Sequence, residues 1–312
     1  MKLFTGSVSL SKHTNSINFT TLYKVINQVI RRGMLYTLRT GFRFRQIIWH
    51  FPEHYELTQL LKINPQVAAL VQENPRLLYK YLGQYLALNL PTKDKLVLLT
   101  SHYRYFTKCV HPHFFKDILH KTYIWQDCQG TDSFSISLLF PSGIDWEGEL
   151  AVVLEFNKIP VYSIRFTIVG EQLENSLFGQ SLFVGGIQGV RNPDLVKQAT
   201  KALFDISPSA LLMAALQGIS LACDLKCIWG AGNERNLANG ATHFNFDAFW
   251  DALGGEKQPN QLYTLAIPFP EKPLTLIKAN HRSRTLRKRE YKHKVTQQVR
   301  AHFEAQLQLS SI

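Results

Sequence analysis

Asp145, Glu147 and Glu149 stand two residues apart at the head of a β-rich segment running from Gly148 to Phe156. At the start of a strand this spacing puts all three on one face. Crowded like charges raise a carboxyl pKa, which makes Glu147 or Glu149 a candidate general base. The plainer alternative is a solvated sheet face, or an edge strand protected by charge. A second segment, Gly185-Gly186-Ile187-Gln188-Gly189, reads as a glycine-containing bend between a strand and a helix beginning at Pro193. Its exposed amides would cradle a phosphate-bearing cofactor, with Arg191 as the counter-charge. Gly186, Gln188, Gly189 and Arg191 are therefore candidate cofactor-binding residues. The same glycines would also suit a bulge, or tight packing of a sheet against a helix.

Other reactive side chains are less well arranged. Cys109, His111 and His113 lack the paired spacing of a zinc site, so no metal is expected. Cys223 and Cys227 read as small packed side chains. No nucleophile elbow, P-loop or zincin motif occurs.

The densest chemical signal is charge. The chain of 312 residues carries 35 Lys and Arg against 23 Asp and Glu, a net +12. Residues 1–50 hold eight bases and no acid, and residues 278–294 hold eight bases and one acid. These two segments contribute +8 and +7, leaving −3 for the rest. The result is a near-neutral body with two basic ends. In the second cluster Arg282, Arg284, Arg287, Lys288 and Arg289 are candidate polyanion-binding residues, for an anionic membrane or an acidic protein. Nucleic acid is the weaker alternative, because no base-reading module accompanies the cluster.

The elements that would position these residues fall into two regimes. Helical spacing marks Ile17 to Ile30, and prolines start further helices at Pro65, Pro75, Pro91 and Pro112. Near residue 120 the pattern turns to alternation. Strands are expected over Thr122 to Cys128, Ser133 to Phe140, Gly148 to Phe156 and Pro160 to Val169, the last two joined by a tight turn at Asn157-Lys158. Helices follow at Pro193 and Pro208. A strand is expected at Lys226 to Gly230, a short helix from Asp247 closed by Gly254, and a last strand over Gln261 to Phe269. The expected fold is α+β: a helical region over 1–118, a mixed, mostly antiparallel sheet domain over 119–280, and a basic helix over 281–312.

Four short stretches together resemble the VirK/YbjX family of Gram-negative bacteria. They are Leu182 to Gly189, Cys227 to Asn233, Phe246 to Trp250 with Gly254-Gly255, and the Arg-rich run from His281 to Arg289. The resemblance implies a part in virulence, cell-surface integrity and tolerance of antimicrobial peptides, and names no reaction. The order of elements after residue 130 is also similar to the GNAT acyltransferases. That likeness implies a coenzyme A or acyl-CoA site at Gly186 to Asn192, with Asn233 at the usual strand end and N-acyl transfer to an amine. Two departures stand against it. The later glycines of the loop pattern are missing, and Phe249-Trp250 replaces the usual tyrosine acid.

No run approaches the roughly eighteen apolar residues that span a bilayer. The first ten residues show no apolar core of a signal peptide. With four cysteines the chain lacks a disulfide framework. A cytoplasmic protein is expected, with any contact at the inner membrane peripheral, either binding only or catalysing acyl transfer.

Overall fold

Proline and asparagine punctuation cuts the first part of the chain into short helices that must pack to persist. The computed structural model describes residues 41, 45–63, 65–73, 75–141, 145–169, 180–240 and 244–307. The chain divides into two compact units, residues 1–49 and 50–312. In the first, the Arg45 guanidinium lies 4.3 Å over the Trp49 ring. The helical stripe expected at Ile17 to Ile30 lies outside the described residues.

The second unit begins with α1 (Phe51–Ile63), which buries Leu57 and Leu61 one turn apart. Its apolar residues also point outward, at Phe51, Tyr55 and Ile63, so no one-sided stripe announces it. Next come α2 (Pro65–Glu73), α3 (Thr92–Cys109) and α4 (Pro112–Leu119). Pro75–Leu82 forms a 3-10 helix. Its three-residue repeat stacks Leu77 and Lys80 on one face, and both are buried.

Strands β1 (Thr122–Gln129), β2 (Asp132–Leu139), β3 (Leu150–Phe156) and β4 (Ile159–Val169) form an antiparallel meander. Asn157 and Lys158 turn between β3 and β4 with φ of 50° and 66°. β5 (Ser181–Gly189) pairs antiparallel with β4 and parallel with β6 (Cys227–Ala231). β8 (Leu262–Ala266) inserts between β6 and β7 (Glu256–Lys257), giving, among the described residues, one eight-stranded sheet in the order β1-β2-β3-β4-β5-β6-β8-β7. The fold is α+β.

The helices after β5 start where their caps stand. Asn192 Oδ1 accepts from Leu195 N–H at the head of α5 (Pro193–Ala202), and Ser207 Oγ accepts from Ala210 N–H at the head of α6 (Pro208–Ala222). α6 is apolar all round and nearly all buried, as a helix between two packed layers must be. α7 (Phe246–Leu253) ends at Gly254, in the left-handed conformation at φ 84°. Its Trp250 is fully buried, stacks on Tyr263 and donates its ring N–H to Ala231 O at 3.1 Å.

α8 (Ala279–Glu304) lies along α6, with Thr296 Oγ1 donating to Ala214 O at 2.9 Å. It also covers β1. Trp125 Nε1 donates to Gln298 Oε1 at 2.9 Å, and Tyr291 OH donates to Asp127 at 2.9 Å. Beyond α8, Leu307 bridges to Val110.

Candidate functional site

The three acids expected to share a face separate. They precede β3 in an irregular segment rather than standing on the strand, so the two-residue alternation does not apply to them. Glu149 turns inward and is 1% exposed. Its Oε1 accepts from Lys80 Nζ at 2.7 Å and Tyr85 OH at 2.9 Å, and its Oε2 accepts from Tyr103 OH at 2.7 Å. Lys80 also donates to Gly148 O at 2.9 Å, and Tyr85 OH lies 3.1 Å from Thr167 Oγ1. Burial and the nearby carboxylate hold both tyrosine hydroxyls well above their usual pKa. The recess beside Lys80 and Glu149 holds no water-sized volume. Glu149 is thus one member of a dry ion-pair network, sealed from any substrate.

Against this cluster packs His102, fully buried on α3. Its Nδ1 accepts the Ile168 backbone N–H at 3.2 Å, so Nε2 carries the ring proton. Burial first, and then the Lys80 charge, hold its pKa down to about 3. The unfolded chain protonates this ring near pH 6.5, while the folded one does not until about pH 3. Stability is therefore complete above pH 6.5 and falls as pH drops below it, by up to about 1.4 kcal/mol per pH unit. His54 and His302 are shifted the same way by partial burial, so the His102 share has to be isolated by substitution. His102→Gln should remove about 1 to 2 kcal/mol of the stability lost between pH 7 and pH 5. Urea unfolding at the two pH values reads this directly. An identical pH dependence in both proteins would show that the buried ring does not titrate as stated.

Glu147 faces outward. Arg165 Nη1 donates to its Oε2 at 3.0 Å and to Gln188 Oε1 at 3.2 Å, and Arg165 Nε donates to Asp145. Burial raises the Glu147 pKa, and Arg165 opposes that rise. Glu147 also explains the glycine pair. A Cβ on Gly185 would lie 2.2 Å from Glu147 O, and one on Gly186 2.3 Å from its carboxylate. The expected bend is therefore corrected. Gly185 to Gly189 continue β5, where Gly186 pairs with Arg165, Gln188 with Ser163 and Gly189 with Tyr162. The glycines admit the acidic segment onto the strand, and no phosphate-type loop forms there.

Gln188, Gly189 and Arg191 nevertheless come together. With Asp145 and Arg165 they line a groove of about 590 Å³ over one face of the sheet. Asn233 is not among its lining residues. It pins the head of α7 instead: its Oδ1 accepts from Phe246 N–H at 2.7 Å, and its N–H donates to Asp247 at 2.8 Å. No group of three His, Cys, Asp or Glu suited to a metal occurs among the described residues.

The basic helix is anchored rather than separate from the body. Arg284 pairs with Asp205 at 2.6 Å, and Lys288 Nζ donates to Asp205 O at 2.6 Å. Arg287 covers the Phe204 ring at 3.8 Å, and Arg289 pairs with Glu271 at 3.3 Å. The fully buried residues of α8 start only at Tyr291, so residues 279–290 form a cationic end resting on the surface. Leu276 and Leu286, beside and within it, are 65% and 44% exposed.

Sequence reasoning missed Lys80, Tyr85, His102, Tyr103 and Thr167. Each is an ordinary residue in its own segment, and only the fold joins Lys80 to Glu149 across 69 positions.

A family model described as "Protein of unknown function (DUF535)" matches residues 36–301. An Escherichia coli (strain K12) protein described as "Uncharacterized protein YbjX" is 24% identical over 254 residues, covering 77% of this chain and 76% of that protein. No solved structure matches.

Proposed function

The chain belongs to the DUF535 family, and we propose that it is a peripheral protein that docks on anionic membrane surfaces through the first three turns of α8. One observation carries this reading. Residues 279–290 contain no fully buried side chain, while Arg282, Arg284, Arg287, Lys288 and Arg289 gather there beside the exposed Leu276 and Leu286.

Two physical points support it. Lys278, the N-cap of α8, makes no side-chain cap bond, and the first turn of the helix holds no acid. The positive end of its helix dipole and its cations both favour an anion. The pairs made by Arg284 and Lys288 are solvent-exposed and hold these side chains only weakly. Each cation contributes roughly 1 kcal/mol beside an anionic bilayer, and the two leucines supply the apolar insertion that makes such binding persist. No helix among the described residues is long and apolar enough to cross a membrane. A binding role suits the sealed Glu149 and the strand-bound glycines better than N-acyl transfer does.

The expected result is that the protein pellets with vesicles rich in anionic lipid at low salt and not with neutral vesicles. Replacing Lys278, Arg282, Arg284 and Arg287 by serine should weaken this binding at least tenfold. Melting should change little, because none of the four is buried. Tight duplex-DNA binding with a steep salt slope, together with no vesicle binding, would assign the helix to nucleic acid and overturn the proposal.

A further inference from the structure

We infer that the groove over β2 to β5 is a binding site for a single acyl or alkyl chain carrying one anionic head, with the head held by Arg191. The site shares no residue with α8 and does not depend on the membrane reading.

The volume, about 590 Å³, lies within the range of small-molecule sites. Register shows how the groove runs. Ser137 pairs with Val153, Val153 with Ser163, and Ser163 with Gln188. These positions form a row crossing four strands, roughly 14 Å at the usual strand spacing. An occupant lying along this row is elongated. Its floor and walls are apolar at Leu139, Ala151, Val153, Pro160 and Val190.

Charge then selects the head group. Among the described residues three cations line the groove. Lys121 is held by Glu155, and Arg165 by Asp145 and Glu147. Arg191, exposed and just past the end of β5, has no ion pair among the described residues. One uncommitted guanidinium suits one carboxylate or one phosphate, which it grips through two parallel hydrogen bonds.

Ser137 provides an independent sign of an occupant. It lines the groove and is fully buried, and its hydroxyl has no hydrogen-bond partner among the described residues. Thr100, Ser101, Ser181 and Ser220 are likewise buried without a hydroxyl partner among the described residues, but of the five it is Ser137 that lines the groove, where its desolvation can be compensated from outside the chain. An oxygen on the occupant would satisfy it. Ser163, on the same row, keeps a further hydroxyl at the groove.

The test uses the full chain in solution without vesicles, so that failure of membrane docking leaves it unaffected. Dodecanoate, dodecyl phosphate and dodecyltrimethylammonium are titrated calorimetrically below their micelle concentrations. The two anions separate a fatty-acid source from a lipid-phosphate source. Expected are saturable binding of at least one anion and none of the cation, with Arg191→Ala weakening the anion at least tenfold. Val153→Glu should abolish binding by placing a charge on the floor. Arg191→Ala alters only an exposed side chain, so it remains informative if the Val153 variant does not fold. Binding of all three amphiphiles alike, binding unchanged by Arg191→Ala, or no binding at all would each overturn the assignment.

Discussion

Lys80→Ala is expected to lower the unfolding free energy by about 3 to 5 kcal/mol, the cost of leaving one member of a buried ion pair without its partner. Glu149 would keep its two tyrosine donors but lose its cation, at a point where its side chain is 1% exposed and no water-sized space adjoins. The double variant Lys80→Met, Glu149→Leu should recover much of that loss, since a well-packed apolar pair often replaces a buried ion pair at little cost. Recovery should stay incomplete. Tyr103 would lose its acceptor, whereas Tyr85 would keep Thr167. Urea midpoints of the three proteins decide the matter. A single variant within 1 kcal/mol of the parent would mean that water reaches this cluster.

Gly230→Ala is expected to cost at least as much as the upper end of core overpacking, about 3 kcal/mol. The added Cβ would sit 1.8 Å from Trp250 Cζ2. The indole has nowhere to retreat, because Tyr263 stacks on it, Phe249 lies edge-on at 5.2 Å and its N–H is bonded to Ala231 O. A double-mutant cycle with Trp250→Phe separates this clash from a general intolerance of β6. The smaller ring should make the pair less destabilised than the sum of the singles by about 0.5 to 3 kcal/mol. Strict additivity would place the strain elsewhere.

Local chemistry made much of this architecture legible. Alternation located β2, β3 and β4, a two-residue turn located the β3–β4 hairpin, and Pro193, Pro208 and Gly254 marked helix ends. Features set by distant partners were not legible. Gly185 and Gly186 look like a bend until Glu147 is seen to lie against them. Glu149 looks like a base until Lys80 reaches it from the 3-10 helix. The insertion of β8 between β6 and β7 follows from packing that no short window contains. In the groove, Gln188, Gly189 and Arg191 are neighbours in sequence. Ser137 and Val153 join them only through strand register.

The way α8 closes over β1 has a consequence for how the protein is made. Asp127 and Trp125 find their partners, Tyr291 and Gln298, 164 and 173 residues later in the chain. At roughly 5 to 20 residues per second, a nascent chain on the ribosome waits on the order of ten to thirty seconds between these halves. Throughout that interval the meander can be complete while Trp125 still lacks Gln298. The finished protein therefore cannot assemble strictly in step with its synthesis. α8 is the latch, and the time before it arrives is when a chaperone would matter most.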